Sequence, residues 1–83
     1  MDNKVLVQVL IPDVEISYDV FIPISKRIGN IIQLIIKAIN DYGEYYPDNP
    51  HAALYSRETG ARYDINSLVY DTDIRNGTQI VLI

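Results

Sequence analysis

The sequence predicts an α+β fold in which one α-helix packs on a mixed sheet of four to five strands. Two stretches near the start of the chain alternate apolar and other residues with a period of two, which is typical of strands. The period changes to 3.6 over one isoleucine-rich segment, and strand patterns return in the second half. One helix and one sheet, each with an apolar face, form a two-layer domain.

Length and composition favour a single folded domain over residues 1–83. The apolar fraction of 48% argues against disorder, and the absence of cysteine leaves packing as the source of stability. A net charge of -4 with scattered basic residues argues against nucleic-acid binding. The chain lacks the pattern of a signal peptide and any apolar run long enough to span a bilayer. We therefore expect a cytoplasmic protein that does not insert into membranes.

The first two strands are predicted to form an antiparallel hairpin around the turn Pro12-Asp13. In residues 4–11 the odd-numbered positions are Val or Ile, and in 16–23 the even-numbered positions are apolar. Because side chains of a strand alternate between its two faces, each strand has one face suited to burial.

An amphipathic helix follows, with Ser25 as its expected N-cap and Gly43 as its expected C-terminal glycine. Three further apolar residues, Ile32, Leu34 and Ile36, widen its apolar arc to about 200°, whereas a core-facing stripe needs roughly 100° or more. Either the loop after the helix covers these flanks, or Ile32 and Ile36 stay partly exposed and bind a partner. The main apolar face consists of Ile28, Ile31, Ile35, Ala38, Ile39 and Tyr42.

The second half of the chain is predicted to hold a loop over 44–51, a short strand "AALYS", a turn at Gly60, a return strand "ARYDI" and the last strand "TQIVLI". Glycine suits the turn because it adopts positive φ without strain. The loop region carries an aromatic cluster that either covers the helix end or forms a contact surface. Its members are Tyr42, Tyr45 and Tyr46.

This element order resembles the β-grasp, or ubiquitin-like, roll, in which a mixed four- to five-stranded sheet packs on one α-helix. The closing segment "LVYDTDIRNGTQIVLI" is similar to the end of that fold. Together with "YDVFIPISKRIGNIIQLII", it resembles the YukD group, which comprises small bacterial ubiquitin-like proteins encoded with WXG100-type (type VII, ESX-like) secretion systems. The loop 44–51 departs from the group's pattern.

The resemblance implies that the first and last strands lie side by side and parallel in the middle of the sheet. It also implies an accessory or regulatory role in secretion, with a protein partner such as a membrane component or ATPase of the machine, and a location peripheral to that complex. Fold alone does not determine function, so an adaptor or subunit of an unrelated bacterial assembly is the alternative. Ubiquitin-like modifiers are conjugated through a Gly-Gly tail; the sequence has no such pair, and we expect no covalent conjugation.

Catalytic and cofactor sites are not predicted. The sequence contains no convincing nucleophile–base arrangement and no glycine-rich phosphate loop. His51 is the only histidine, and a metal site needs more ligands at defined spacing. The acidic stretch 71–73 is interpreted as a solvated turn that caps its own backbone. We therefore expect a protein that is not an enzyme and has neither metal nor cofactor.

Protein binding is expected instead on the sheet face away from the helix. If Val5, Val7 and Ile80 face the helix, alternate residues of the same strands form a small apolar patch with a tyrosine, a residue enriched in interface hot spots. The predicted protein-binding residues are Leu6, Gln8, Tyr55, Val81 and Ile83 on this face, with Ile32 and Ile36 on the helix as a second possibility.

Overall fold

The computed structural model describes residues 3–43, 46 and 51–83. One helix packs on a four-stranded mixed sheet of order β2-β1-β4-β3, which confirms the predicted α+β class. The central strands β1 and β4 run parallel, and both outer strands are antiparallel to their neighbours. The elements are β1 (Lys4–Ile11), β2 (Ile16–Pro23), α1 (Ile28–Asp41), β3 (Leu54–Ser56) and β4 (Gln79–Leu82), with short 3-10 turns at Pro12–Val14 and Val69–Asp71.

The β1–β2 hairpin has the predicted alternation. Its pairing runs without a bulge from Lys4 opposite Pro23 to Ile11 opposite Ile16. The turn closes through the N–H of Glu15, which donates to the carbonyl of Pro12 at 3.1 Å, with Glu15 at a φ of 55°. The side chains of Val7 and the other odd-numbered residues to Ile11 are buried beneath the helix.

Helix α1 begins later than the sequence indicated. Its N-cap is Arg27, and Ser25, the expected cap, lies two residues upstream. The first helical amides are satisfied by backbone instead: Ile28 N–H donates to Ser67 O at 2.9 Å and Gly29 N–H to Ile65 O at 3.0 Å. Because these carbonyls fill the role of a capping side chain, no Ser or Thr is needed at the start of the helix.

The segment after β3 does not form the predicted return strand. Gly60 has the expected positive φ of 76°, but "ARYDI" contributes only a single bridge between Arg62 and Tyr55. The chain then turns away from the sheet, with Asn66 N–H donating to Asp64 Oδ1 at 2.8 Å. This turn delivers the carbonyls that cap α1, so the sheet stops at four strands.

The last strand occupies the centre of the sheet, as predicted. Gly77, with a φ of 88°, makes the turn before it and donates its N–H to Leu6 O at 2.8 Å. Ile80 and Leu82 are fully buried between the sheet and α1. Within 3–43, 46 and 51–83, no helix has the length and hydrophobicity that crossing a bilayer requires.

Candidate protein-interaction surface

The face of the sheet that points away from α1, which we call the open face, is built by alternate residues of all four strands. Strand register determines which side chains meet there, because neighbours across the ladder share a face. Its members are Leu6, Gln8 and Leu10 of β1, Ser17, Asp19 and Phe21 of β2, Tyr55 of β3, Gln79 and Val81 of β4, and Ile83, which follows β4.

One apolar group on the open face, the Val81 patch, consists of Leu10, Tyr55, Val81 and Ile83. Val81 lies directly between Leu10 on β1 and Tyr55 on β3. The alternation continues to Ile83, which is 50% exposed and whose backbone exchanges two hydrogen bonds with Ala53 at 2.8 and 3.1 Å. Backbone pairing on β4 thus holds the patch on a rigid part of the sheet.

A second apolar group, the Phe21 pair, lies toward the other end of the open face. Leu6 lies opposite Phe21 in the hairpin, and their side chains are 37% and 60% exposed. Phe21 was not among the predicted binding residues, although its place in the alternation of β2 already put it on this face. Single exposed apolar side chains are normal on a protein surface, so the relevance of this pair lies in its position next to the polar row and on the same face as the Val81 patch.

A polar row separates the two apolar groups. Gln79 Nε2 donates to Gln8 Oε1 at 2.5 Å, and Arg57 Nη1 donates to Gln79 Oε1 at 3.4 Å. Asp19 lies opposite Gln8 on β2 and is exposed. The open face therefore offers apolar contacts at both ends and hydrogen-bonding groups between them, the mixture found in interfaces that form and dissociate.

The five predicted sheet residues share one face, as the sequence indicated, but the polar row separates Leu6 from the Val81 patch. Leu6, Gln8, Tyr55, Val81 and Ile83 all lie on the open face, and Val5, Val7 and Ile80 point to the helix side. Their role in binding stays a prediction. The sequence reasoning overlooked Leu10 and Phe21, which the same period-two pattern could have identified.

Of the two helix residues proposed as a second binding surface, one is buried. Ile32 is only 3% exposed and belongs to the buried core, so the expectation that it stays exposed is wrong. Ile36 is partly buried and packs against that core. The large apolar side chain that α1 does expose is Leu34, at 48%.

One residue of the chain beyond α1 also belongs to this core. Tyr46 is 2% exposed and joins the same core, and its N–H donates to Asn40 Oδ1 at 2.9 Å. Tyr42, by contrast, is 79% exposed, so the aromatic cluster splits into one buried and one solvent-facing ring. Tyr45, its third member, lies outside the described residues, as do Glu44 and residues 47–50 of the loop.

The turn before β4 is organised by side-chain hydrogen bonds. Thr72 Oγ1 donates to Val69 O at 2.7 Å and accepts from Ile74 N–H at 3.2 Å, so this threonine caps the turn. Tyr63 donates its hydroxyl proton to Asp73 Oδ1 at 2.8 Å. Burial and this hydrogen bond raise the pKa of Tyr63 to about 12. In the part of the chain that the structure describes, no three His, Cys, Asp or Glu residues are grouped as metal ligands would be.

The comparisons with known proteins identify the fold as ubiquitin-like. No protein-family model matches the chain, and no curated protein matches it in sequence. Among solved structures, it is similar to a chain of the MycP5-free ESX-5 inner membrane complex, with 13% identity and a TM-score of 0.72 over 99% of this chain. The match spans 21% of that ESX-5 chain, about a fifth of its length.

The EccD5 ubiquitin-like domain from Mycobacterium xenopi is also similar, with 13% identity, a TM-score of 0.69 and coverage of 99% of this chain and 94% of that one. A chain of the toluene 4-monooxygenase HD complex superposes with a TM-score of 0.80 at 5% identity, covering 95% of both chains. Other solved ubiquitin-like domains match as well. At these identities the shared property is the β-grasp fold.

Proposed function

We propose that residues 1–83 form a single, non-catalytic ubiquitin-like domain that binds a protein partner through the open face and acts as an accessory or regulatory component of a type VII-like (WXG100, ESX-like) secretion system. The partner is a membrane component or ATPase of that machine. In this proposal the protein is a YukD-like member of such a system, works in the cytoplasm next to the membrane complex, and is not conjugated to its targets.

The observation that carries the proposal is the open face itself. The Val81 patch and the Phe21 pair expose apolar side chains on a rigid sheet, with a tyrosine and hydrogen-bonding glutamines between and beside them. Exposed apolar and aromatic side chains contribute much of the binding energy of protein interfaces, and the polar row between the two groups adds hydrogen-bonding partners. The similarity to ubiquitin-like domains of ESX-5 supports the choice of machine.

The glycines of the chain lie in turns and in α1. The four glycines are isolated in the sequence, at Gly29, Gly43, Gly60 and Gly77. Three of them have positive φ in turns, and Gly29 lies within α1. None is part of a Gly-Gly pair of the kind that conjugation uses.

A co-purification from the native host tests this proposal. Tagged wild type, Val81→Asp and Gln33→Asp are each recovered from membranes solubilised in mild detergent. Val81→Asp places a charge in the middle of the Val81 patch, and Gln33→Asp adds the same charge on the exposed surface of α1. We expect a type VII membrane component or ATPase with wild type and Gln33→Asp, and its loss with Val81→Asp. Recovery with all three variants would contradict the open face, and recovery with none would contradict the secretion role.

An adaptor or subunit in an unrelated bacterial assembly is the second candidate. The superposition on a chain of the toluene 4-monooxygenase HD complex favours it, because the same fold occurs there in a multi-component enzyme. Gene neighbourhood separates the two candidates. Adjacent genes for WXG100 proteins and an FtsK/SpoIIIE-type ATPase favour the secretion role, and neighbouring oxygenase or other enzyme genes favour the alternative.

A further inference from the structure

Strand β2 is one of the two outer strands of the sheet, and its edge away from β1 pairs with no described residue. In β1, the even-numbered residues direct their backbone toward β4: Gln8 N–H donates to Thr78 O at 3.0 Å, and Leu6 O accepts from Gly77 at 2.8 Å. Because successive residues of a strand point their backbone groups to opposite sides, the odd-numbered residues of β1 pair with β2. In the register of the hairpin these partners are the even-numbered residues of β2.

The odd-numbered residues of β2 therefore point their backbone away from the sheet. Ser17, Asp19 and Phe21 each present an N–H and a C=O along this edge, and no described residue forms a hydrogen bond with them. The backbone of Pro23 also points away from the sheet, so the N–H that proline lacks is not needed for pairing with β1. The opposite edge of the sheet is shorter, because β3 has three residues and its Tyr55 forms a bridge with Arg62.

A groove runs alongside this free edge, between β2 and the C-terminal half of α1. Its volume is about 430 Å³, and its lining is mainly apolar. The rings of Tyr18 and Tyr42 meet edge to face in it, with their centroids 6.1 Å apart. The lining residues are Ile16, Ser17, Tyr18, Asp19 and Val20 of β2, and Ala38, Ile39 and Tyr42 at the end of α1.

The hydroxyl of Tyr18, one of the residues that line the groove, is a second feature of this region. It is buried and has no hydrogen-bond partner among the described residues. Burial, and secondarily the neighbouring Tyr42, raise the pKa of Tyr18, so the group remains a neutral donor at physiological pH. A buried donor without an acceptor destabilises a protein, so the described residues around this groove leave one polar group unsatisfied.

We propose that the free edge of β2 and this groove bind an extended segment of a partner protein as a fifth strand, with alternate apolar side chains in the groove and a lysine or arginine beside Asp19. Backbone hydrogen bonds to Ser17, Asp19 and Phe21 would hold the segment in place, as in other cases of strand addition to a sheet edge. Side chains on its other face would lie next to the open face, where Asp19 is exposed and forms no ion pair with any described residue.

The charge distribution selects the partner. The exposed Glu15 precedes β2, Asp19 lies on it, and the chain as a whole has a net charge of -4. An acidic segment would be repelled along this edge, whereas a basic side chain is attracted to Asp19. The segment is therefore apolar on one face and carries positive charge on the other.

A second copy of this chain fits the edge less well. Two β2 strands related by a two-fold axis share most hydrogen bonds when the axis passes through Asp19, since its backbone is the middle one of the three that face outward. That register places the two Asp19 carboxylates opposite each other, and like charges in such pairs destabilise strand pairing. The geometry thus favours a segment from a different protein.

Selection from a random peptide library displayed on phage tests this proposal. We expect enriched peptides in which apolar residues alternate and at least one lysine or arginine lies on the other face. Asp19→Lys should weaken the binding of a synthetic copy of such a peptide by about tenfold or more, as the pair of opposite charges becomes a repulsion. Asp13→Lys, which makes the same charge change in the exposed turn before β2, should leave it unchanged.

Amide hydrogen exchange then locates the peptide. Bound peptide should slow exchange at Ser17, Asp19 and Phe21, whose N–H groups face outward, with little change at Val20, which already pairs with β1. Binding should persist in Val81→Asp, so this result is independent of the open-face proposal. The inference would be overturned if no peptide is enriched, or if binding is insensitive to Asp19→Lys. It would also be overturned if, without peptide, protection of the outward amides rises with protein concentration, because that result would indicate pairing with a second copy.

Discussion

Replacement of Ile32 by alanine tests the most consequential difference between sequence pattern and structure. Ile32 is 3% exposed, and the substitution removes three buried carbon atoms. At about 0.8 kcal/mol for each, the transfer contribution is about 2.4 kcal/mol. The cavity left behind raises the cost, while the better helix propensity of alanine offsets a few tenths of a kcal/mol. We expect the free energy of unfolding to fall by about 3 kcal/mol, within the usual range of about 2–5 kcal/mol for such a substitution.

Leu34→Ala is the matched control on the same helix, because Leu34 is 48% exposed and its loss should cost about 1 kcal/mol or less. Urea unfolding followed by circular dichroism measures both variants, and the slope with denaturant should match that of wild type. For a domain of this size, about 3 kcal/mol also lowers Tm by about 12–24 °C. A cost for Leu34→Ala equal to or above that for Ile32→Ala would refute the placement of the helix on the sheet.

Two further predictions concern the chain after α1 and the turn before β4. Tyr46→Ala should lower the free energy of unfolding by about 3–5 kcal/mol because this ring is buried, whereas Tyr42→Ala, at 79% exposure, should lower it by under about 1 kcal/mol. Equal losses of stability in urea unfolding would contradict the assignment of one buried and one exposed ring. Tyr63→Phe removes the hydrogen bond to Asp73 and should cost about 1–2 kcal/mol at neutral pH. The pKa of Tyr63 is raised from 10.0 to about 12, so its contribution to the free energy of unfolding is full below about pH 10 and is lost as pH rises toward 12. The free energies of unfolding of wild type and Tyr63→Phe should therefore converge over that pH interval. A difference that stays constant with pH would exclude this linkage.

The sheet was predictable because period-two alternation carries the information directly. Val81 and Ile80 fall on opposite faces whatever the partner strands are, and the buried face of β1 follows from the same rule. The central position of β4 came from the resemblance to the β-grasp order, since periodicity does not say which strands are neighbours. The register of the strands in turn places the five predicted residues on one face of the sheet.

The errors arose where distant backbone replaces a local signal. Ser25 is a good N-cap by residue type, but carbonyls of Ile65 and Ser67 already satisfy the first amides of α1. The same contact draws the chain away from β3, so the predicted strand at 61–65 is reduced to one bridge. Ile32 likewise belongs to a core that includes residues distant in the chain, such as Tyr46, and helical periodicity alone does not show which flank of the helix that core covers.

Site-specific photo-crosslinking in the native host tests the central claim most directly. A photoreactive phenylalanine analogue replaces Tyr55 on the open face or, as a control, Tyr70, which is 67% exposed and lines a different surface with Val5 and Ile24. The account predicts that the analogue at position 55 crosslinks to a membrane component or ATPase of a type VII-like secretion machine and that the analogue at position 70 does not. Crosslinks to that machine from position 70 alone, or from neither position, would contradict it.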